Sequence, residues 1–485
     1  MFLRTGTHHL SDPGARLVRE VAERHARARW AAPLVLLAAA VTEPCASAEA
    51  AGSEQPAAPF PSTYEPGPRH DTVITGGTIL DGAGRRYARG SIRITNGRID
   101  AIGDSIPETP KNPEHIDAQG RWITPGLIDP HSHLGTASLP LVPIELEHWD
   151  VNEPTDPNTA QVRAEHSVHT QDPSFERALA GGVTTLQILP GSSNLFGGRG
   201  VVLKNVPAAT VQAMKFPGAP PSMKMACGEN PKYTHGEAGR APASRMGVVA
   251  GMRAAWQAAR EYAAKQERGS EDDGEQPARD FRLETLAAAL DGEILIHVHC
   301  YRADDMAIML DVADEYGFQI AGFHHASEAY KIADLLAREQ VCAVVWSDWW
   351  GYKMEAYDAV RANAAIVDAA GGCVSLHSDS AVTGQHLNLE AAKALAAGRR
   401  AGLELTREQA VRWITQYPAK LLGLDDRIGT LEPGKNADLV VWSGDPFSVY
   451  SRVDLVFIDG VLVYDRSVTT EPRSDFELGQ PARAR

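Results

Sequence analysis

The segment Pro125-Gly126-Leu127-Ile128-Asp129-Pro130-His131-Ser132-His133 is an apolar strand that runs into two histidines. Alternate side chains of an extended chain share a face, so His131 and His133 point the same way. Alone, such a pair carries little weight. Across the chain, however, short apolar segments at 126–131, 183–189, 222–226, 294–299, 319–325, 341–346 and 373–377 are separated by helical patterns, the clearest at 247–266, 303–316 and 329–339. Alternating βα units of this length predict a parallel barrel or a doubly wound sheet, and a barrel's reactive face lies at the carboxyl ends of its strands. His297, His299, His325 and Asp379 all fall at those ends. With His131 and His133 they make a convergent nitrogen and oxygen donor set, which suits Zn²⁺ and also accepts Mn²⁺, Fe²⁺, Co²⁺ or Ni²⁺. The competing reading is a group of hydrogen-bonded core histidines.

Outside this alternation the texture changes. Residues 71–104 read as short strands and turns, with Asn96-Gly97 as a hairpin signal. A similar pattern returns at 429–442 and 453–463, so the two ends are expected to pair into one small β-domain. The first 29 residues carry six Arg, residues 30–41 are uncharged and apolar, and Ala46-Ser47-Ala48 fits signal-peptide cleavage. That predicts a periplasmic or secreted protein. The apolar run is too short for a stable membrane anchor; a buried core helix is its alternative reading. The expected division is a signal peptide at 1–48, a flexible linker at 49–70, a β-sandwich built from 71–124 and 428–470, a TIM barrel at 125–427 and a C-terminal tail at 471–485. The acidic stretch at 268–279 reads as a solvated insertion.

Charge and cysteine content exclude whole classes. The 485 residues hold 47 Lys+Arg against 62 Asp+Glu, a formal charge of −15, which becomes −17 once the six Arg and four acids of residues 1–48 are removed. Phosphate neutralisation needs clustered cations, and the body of the chain has none, so nucleic acid is not an expected partner. Five Cys without a CxxC spacing exclude a disulfide scaffold and a structural zinc. Cys227 and Cys300 would end adjacent strands, and Cys342 and Cys373 would begin another adjacent pair. A bridge between neighbouring strands is geometrically demanding, so four buried free thiols are expected.

The stretch 125–133, together with Gly182-Val183-Thr184-Thr185, Ile296-His297, His325-Ala326-Ser327-Glu328, Ser378-Asp379 and the tail Ile428-Gly429-Thr430-Leu431-Glu432-Pro433-Gly434, resembles the amidohydrolase superfamily. The likeness is to its branch related to imidazolonepropionase and prolidase-like dipeptidases, and it runs from about residue 72 to 465. It implies a distorted (β/α)₈ barrel carrying a metal centre, flanked by a β-sandwich from both chain ends. It further implies His131 and His133 as strand-one ligands, His297 as the strand-five ligand, His325 as the strand-six ligand and Asp379 as the strand-eight ligand, with His299 left for a substrate contact. Lys224, in Met223-Lys224-Met225-Ala226-Cys227-Gly228, is similar to the strand-four lysine that prolidase-like relatives carboxylate to bridge two metals. Other branches use a glutamate there, and Glu229 competes for that part or else contacts substrate. An ordinary barrel lysine paired with a carboxylate is the third reading of Lys224.

These residues suggest a reaction. A divalent cation lowers the pKa of its water to roughly 7, Asp379 would act as general base and then acid, and the metal or His299 would polarise the carbonyl. The expectation is an exported hydrolase of a small-molecule amide, peptide or cyclic amide C–N bond, using one or two Zn²⁺ or similar ions per chain. A dipeptide or N-acyl amino acid is favoured, because an exported enzyme is badly placed for cytosolic catabolism. The alternatives are a deaminase, an imidazolonepropionase-like lactam hydrolase and, from another class, a non-catalytic metal- or ligand-binding barrel; a homo-oligomer is left open. Further substrate contacts are expected from Arg302 after strand five and from Tyr233, with His235, beyond strand four. The glycine-rich segment 191–200 either presents backbone N–H groups and Arg199 to a substrate anion or forms a plain hairpin lip. The aromatic run at 346–353, with Trp349, forms either an apolar wall or ordinary packing.

Overall fold

Five strands open the folded chain: β1 (Thr72–Leu80), β2 (Arg86–Thr95), β3 (Arg98–Gly103), β4 (Glu114–Asp117) and β5 (Trp122–Pro125). Eight more follow: β6 (Leu127–Ser132), β7 (Val183–Ile188), β8 (Phe196–Lys204), β9 (Ser222–Ala226), β10 (Leu295–Cys300), β11 (Ile320–His325), β12 (Cys342–Val345) and β13 (Val374–Leu376). Three close it: β14 (Leu439–Trp442), β15 (Val453–Ile458) and β16 (Val461–Asp465). The computed structural model describes residues 60–106, 113–271 and 278–468; the expected signal peptide, part of the expected linker, the centre of the acidic insertion and the C-terminal tail lie outside them.

The first five and last three strands make one sheet, in the order β16-β15-β14-β5-β1-β2-β3, with β4 also paired to β1. Its seam is antiparallel, Ile123 facing Val441 and Pro125 facing Leu439. Alternation places Ile74, Ile79, Ile92, Ile94, Ile123, Val441 and Phe457 in one apolar core. At the hairpin between β2 and β3, Asn96 and Gly97 both take positive φ, 52° and 77°, as a two-residue turn of this kind requires. The two chain ends therefore meet as expected. Their strands form one continuous sheet, and this sheet shares one compact unit, beginning at Ser62, with the rest of the fold.

The other eight strands run in the order β13-β12-β11-β10-β9-β8-β7-β6 and form a nearly closed barrel. All neighbours are parallel except at β8, which is antiparallel to both β7 and β9. Of the two readings of 191–200, the hairpin is the one the pairing supports: the chain turns back from β7 and runs into the third barrel strand, which the sequence reading lacked. No ladder joins β6 to β13. Their ends are held instead by Asp379 N donating to His131 O at 3.0 Å and by Ser378 N donating to Asp129 Oδ1 at 3.1 Å.

The four barrel cysteines are bonded, against the expectation of free thiols. Cys227 joins Cys300 and Cys342 joins Cys373, with Cα atoms 5.3 and 4.5 Å apart. Strand register supplies the reason. His299 faces Ala226 and Ala343 faces Val374, so each cysteine lies beside its partner within bonding reach.

One buried ion cluster joins the barrel to the terminal sheet. Lys204, at the end of β8 and 1% exposed, lies 3.5 Å from Asp438 and 3.0 Å from Asp459, and Asp438 Oδ1 accepts from Asp459 N at 2.7 Å. Breaking a buried pair from one side leaves an uncompensated charge, at a cost of about 3–5 kcal/mol. Lys204→Met is expected to lower the unfolding free energy by about that amount; a urea midpoint equal to that of the wild type would contradict it.

Candidate functional site

The carboxyl ends of β6, β9, β10, β11 and β13 bring His131, His133, Lys224, His297, His299, His324, His325, His377 and Asp379 to one place. Among the described residues two groups each gather three donor atoms within 4.8 Å of one another: His131, His133 and Asp379, and His131, His325 and His377. Asp379 Oδ1 is 3.0 Å from His133 Nε2 and 3.5 Å from His131 Nε2, and its second oxygen is 3.9 Å from His325 Nδ1. His133 Nδ1 donates to Leu189 O at 2.9 Å, which turns Nε2 toward the cluster. His325 and Asp379 both adopt positive φ, 69° and 50°. Such conformations strain a residue with a side chain and concentrate where geometry serves function.

Burial sets the charge state. It pushes His131, His299, His324 and His325 well below the usual imidazole value and His297 and His377 to about 3, so the rings are neutral donors. Asp379 feels the same burial, yet the hydrogen bond and charge of His133 hold it below the usual carboxylate range. Both nitrogens of His299 and of His377, and Nδ1 of His325, are buried without a hydrogen-bond partner. Neutral imidazoles with orphaned nitrogens around one ionised carboxylate fit a divalent transition metal.

Other expected residues divide clearly. Lys224 belongs to the cluster: fully buried, it lies 3.4 Å from His131 Nε2 and donates to Pro190 O at 3.3 Å, with no carboxylate in ion-pair range among the described residues. Burial lowers its pKa to about 8. His297 is the register partner of Lys224; its nitrogens face Gln187 at 3.2 Å and His324 at 2.9 Å. Trp349 is also at the mouth, stacked on Trp346 with centroids 4.7 Å apart, and Trp346 stacks on His325 at 4.4 Å. Glu229 instead pairs with Lys353 at 3.5 Å, and its N–H donates to Glu355. Gly228 before it has φ 77°, and a Cβ there would stand 2.5 Å from Glu355 Oε1.

The structure keeps Arg199, Arg302 and Tyr233 away from the cluster. Arg199 faces Met223 while Gly198 faces Lys224, so Arg199 points out of the barrel, where Arg163 and Glu165 act on its charge. Arg302 clamps Asp304 at 2.6 Å on the surface. Tyr233 is half exposed under Lys232. His235 is buried against Asn194 Oδ1 at 2.9 Å.

Three residues that carried no role in the sequence matter here. His324 bridges His297 and His131, the latter at 3.0 Å; only its adjacency to His325 signals it. His377, two residues before Asp379, stacks on His131 with centroids 5.0 Å apart. Asp129 is fully buried and accepts from Ser378 N, Ser378 Oγ and His131 N; burial raises its pKa to about 6 against those hydrogen bonds.

Comparison with known proteins places this geometry. The amidohydrolase family matches residues 122–463. Amidohydrolase tasK of Hapsidospora irregularis is 31% identical over 414 residues, 80% of this chain; the chain spans 41% of that longer protein. Imidazolonepropionase of Caulobacter vibrioides is 26% identical over 371 residues, 73% of this chain and 87% of that one. Among solved structures, an amidohydrolase from Thermotoga maritima MSB8 is 35% identical with a TM-score of 0.75, covering 81% of this chain and 100% of its own.

Replacing Asp129 by Ala would strand two backbone N–H groups and a hydroxyl, each buried unsatisfied donor costing about 1–3 kcal/mol. Asp129→Ala is expected to lower the urea midpoint markedly, and Asp129→Asn, which keeps one acceptor oxygen, to lower it less. Equal midpoints for the two variants would show that these acceptor oxygens are not what holds the seam.

Proposed function

The chain belongs to the amidohydrolase family, and from that premise we propose that it is an exported, metal-dependent hydrolase that cleaves the amide bond of a dipeptide or N-acyl amino acid. The observation that carries the reading is Asp379, set among His131, His133 and His325 at the carboxyl ends of the barrel strands. His131, His133, His325 and Asp379 would hold the cation, with His297 and Lys224 completing the set. Lys224, rather than Glu229, is the candidate bridging group, because it stands in the cluster while Glu229 is engaged by Lys353. Burial lowers the Lys224 pKa to about 8, which favours the neutral amine that carboxylation requires over what an ordinary lysine offers.

When bound, a divalent cation supplies Lewis acidity and makes water a competent nucleophile near neutral pH. The remaining work falls to side chains. Asp379 accepts the proton of the attacking water on a carboxylate oxygen and returns it to the leaving nitrogen, as base and then acid. His299, a neutral ring with both nitrogens free of protein partners, donates its N–H to the carbonyl oxygen as negative charge gathers there. The stacked Trp346 and Trp349 exclude water from one side of the site. The likeness to imidazolonepropionase supports a cyclic amide as the second reading, and a substrate panel separates the two.

Export rests on the sequence of residues 1–48 and is supported by the two disulfides, which persist in oxidising compartments.

Purified protein is expected to carry one or two transition metals per chain by elemental analysis. Asp379→Asn is expected to remove hydrolysis of dipeptides and N-acyl amino acids by at least about 10²-fold, the low end of a general acid–base contribution, with the circular dichroism of the fold retained. Full activity in metal-free protein would overturn the reading. Protein recovered from the periplasm is expected to begin at Glu49 by intact mass and to show no free thiol when denatured without reductant; an intact leader with all five cysteines as reactive thiols would refute export.

A further inference from the structure

Trp349 divides the mouth of the barrel into two cavities. The larger, of ≈ 350 Å³, has His133 and Asp379 at its floor and Leu141, Trp149 and Val382 along its walls. The smaller, of ≈ 180 Å³, runs from His325 past Trp346 and Trp350 to Arg361. Most polar groups of the smaller cavity are already engaged. Ser347 Oγ donates to Glu390 O, the Asn363 side chain serves three backbone groups, and Asp348 pairs with Lys393. Arg361 is different: its guanidinium has no hydrogen-bond or ion-pair partner among the described residues.

The charges nearby make that exception informative. Lys353 is held between Glu229 and Glu355, Arg245 between Asp305 and Glu355, and Arg302 by Asp304. Each of these cations has its carboxylate; Arg361 does not. A guanidinium is a planar fork whose paired N–H donors match a carboxylate in bidentate fashion. His325, which belongs to the histidine cluster, lines the other end of the same cavity.

We propose that Arg361 binds the free carboxylate of the substrate, while the larger cavity takes its apolar part. The inference rests on the amide-hydrolase reading above and narrows it: the substrate is an anion with an apolar group on the far side of Trp349. A neutral lactam or a nucleobase would leave Arg361 unmatched.

The test compares an N-acyl amino acid bearing a large apolar acyl group with its carboxamide, on the metal-loaded wild type, Arg361→Ala and Arg361→Lys. A charged hydrogen bond of ordinary strength predicts that Arg361→Ala loses about 10- to 100-fold in kcat/KM on the acid, carried mainly by KM. The loss on the carboxamide should be at least tenfold smaller, and Arg361→Lys should recover part of the difference. Equal losses on acid and carboxamide, or none on the acid, would overturn the proposal. Calorimetric binding of the same acid to Asp379→Asn, with and without Arg361→Ala, separates the two levels of inference. If no amide is hydrolysed but Arg361→Ala still weakens binding of the acid, the reaction is misread and the carboxylate site stands. If hydrolysis proceeds and binding is indifferent to Arg361, the carboxylate site falls alone.

Discussion

The buried carboxylate of Asp129 is the constraint on which the site depends. A barrel sheet normally closes by a ladder between its first and last strands, and here β6 and β13 lack one. Asp129 spans the gap, accepting from the backbone and hydroxyl of Ser378 on one side and from the His131 backbone on its own strand. Asp129 fixes the backbone of His131 and of Ser378, the neighbour of Asp379, and together with the bond from Asp379 N to His131 O it ties the two strand ends that carry these side chains. A fully buried acid is costly unless its lone pairs are filled; here three donors fill them.

Around this seam the burial of so many imidazoles has a single electrostatic result. Each ring is discouraged from protonation by desolvation and by its neighbours, Lys224 among them. The interior therefore presents lone pairs rather than charge, with Asp379 as the anionic member. Positive φ at His325 and Asp379 shows that the backbone is bent to bring these donors inward, a conformation that the surrounding packing must hold.

Much of this was legible in the sequence, and the failures have physical causes. Period-two alternation and the position of each histidine at a strand end located His131, His133, His297, His299, His325 and Asp379. The third barrel strand escaped because Gly197, Gly198 and Gly200 give β8 the composition of a loop, and glycine carries no side-chain pattern to reveal a face. Arg199 misled for a related reason. Without the strand, its register was unknown, and one residue decides whether a side chain enters the barrel or leaves it. The disulfides depended on register between strands, which sequence alone does not fix. Tyr233 follows the right strand but lies within the helix Glu229–Glu237 beyond it, and Arg302 stands in extended conformation just before the helix Ala303–Tyr316, with its side chain clamped on Asp304 at the surface.

The seam between Ile123 and Val441 has a consequence for how the chain acquires its structure. The two partners are separated by more than 300 positions, so their contact is among the least local in the molecule and is closed only at a high entropic cost. The edge of β5 stays open until nearly all of the polypeptide has emerged. Until then the half-made terminal sheet exposes an unpaired strand edge and an unfinished apolar core, the features that make partly folded intermediates prone to self-association. Completion of the terminal sheet thus waits for the last strands, and truncation near residue 440 would leave β5 without its cover.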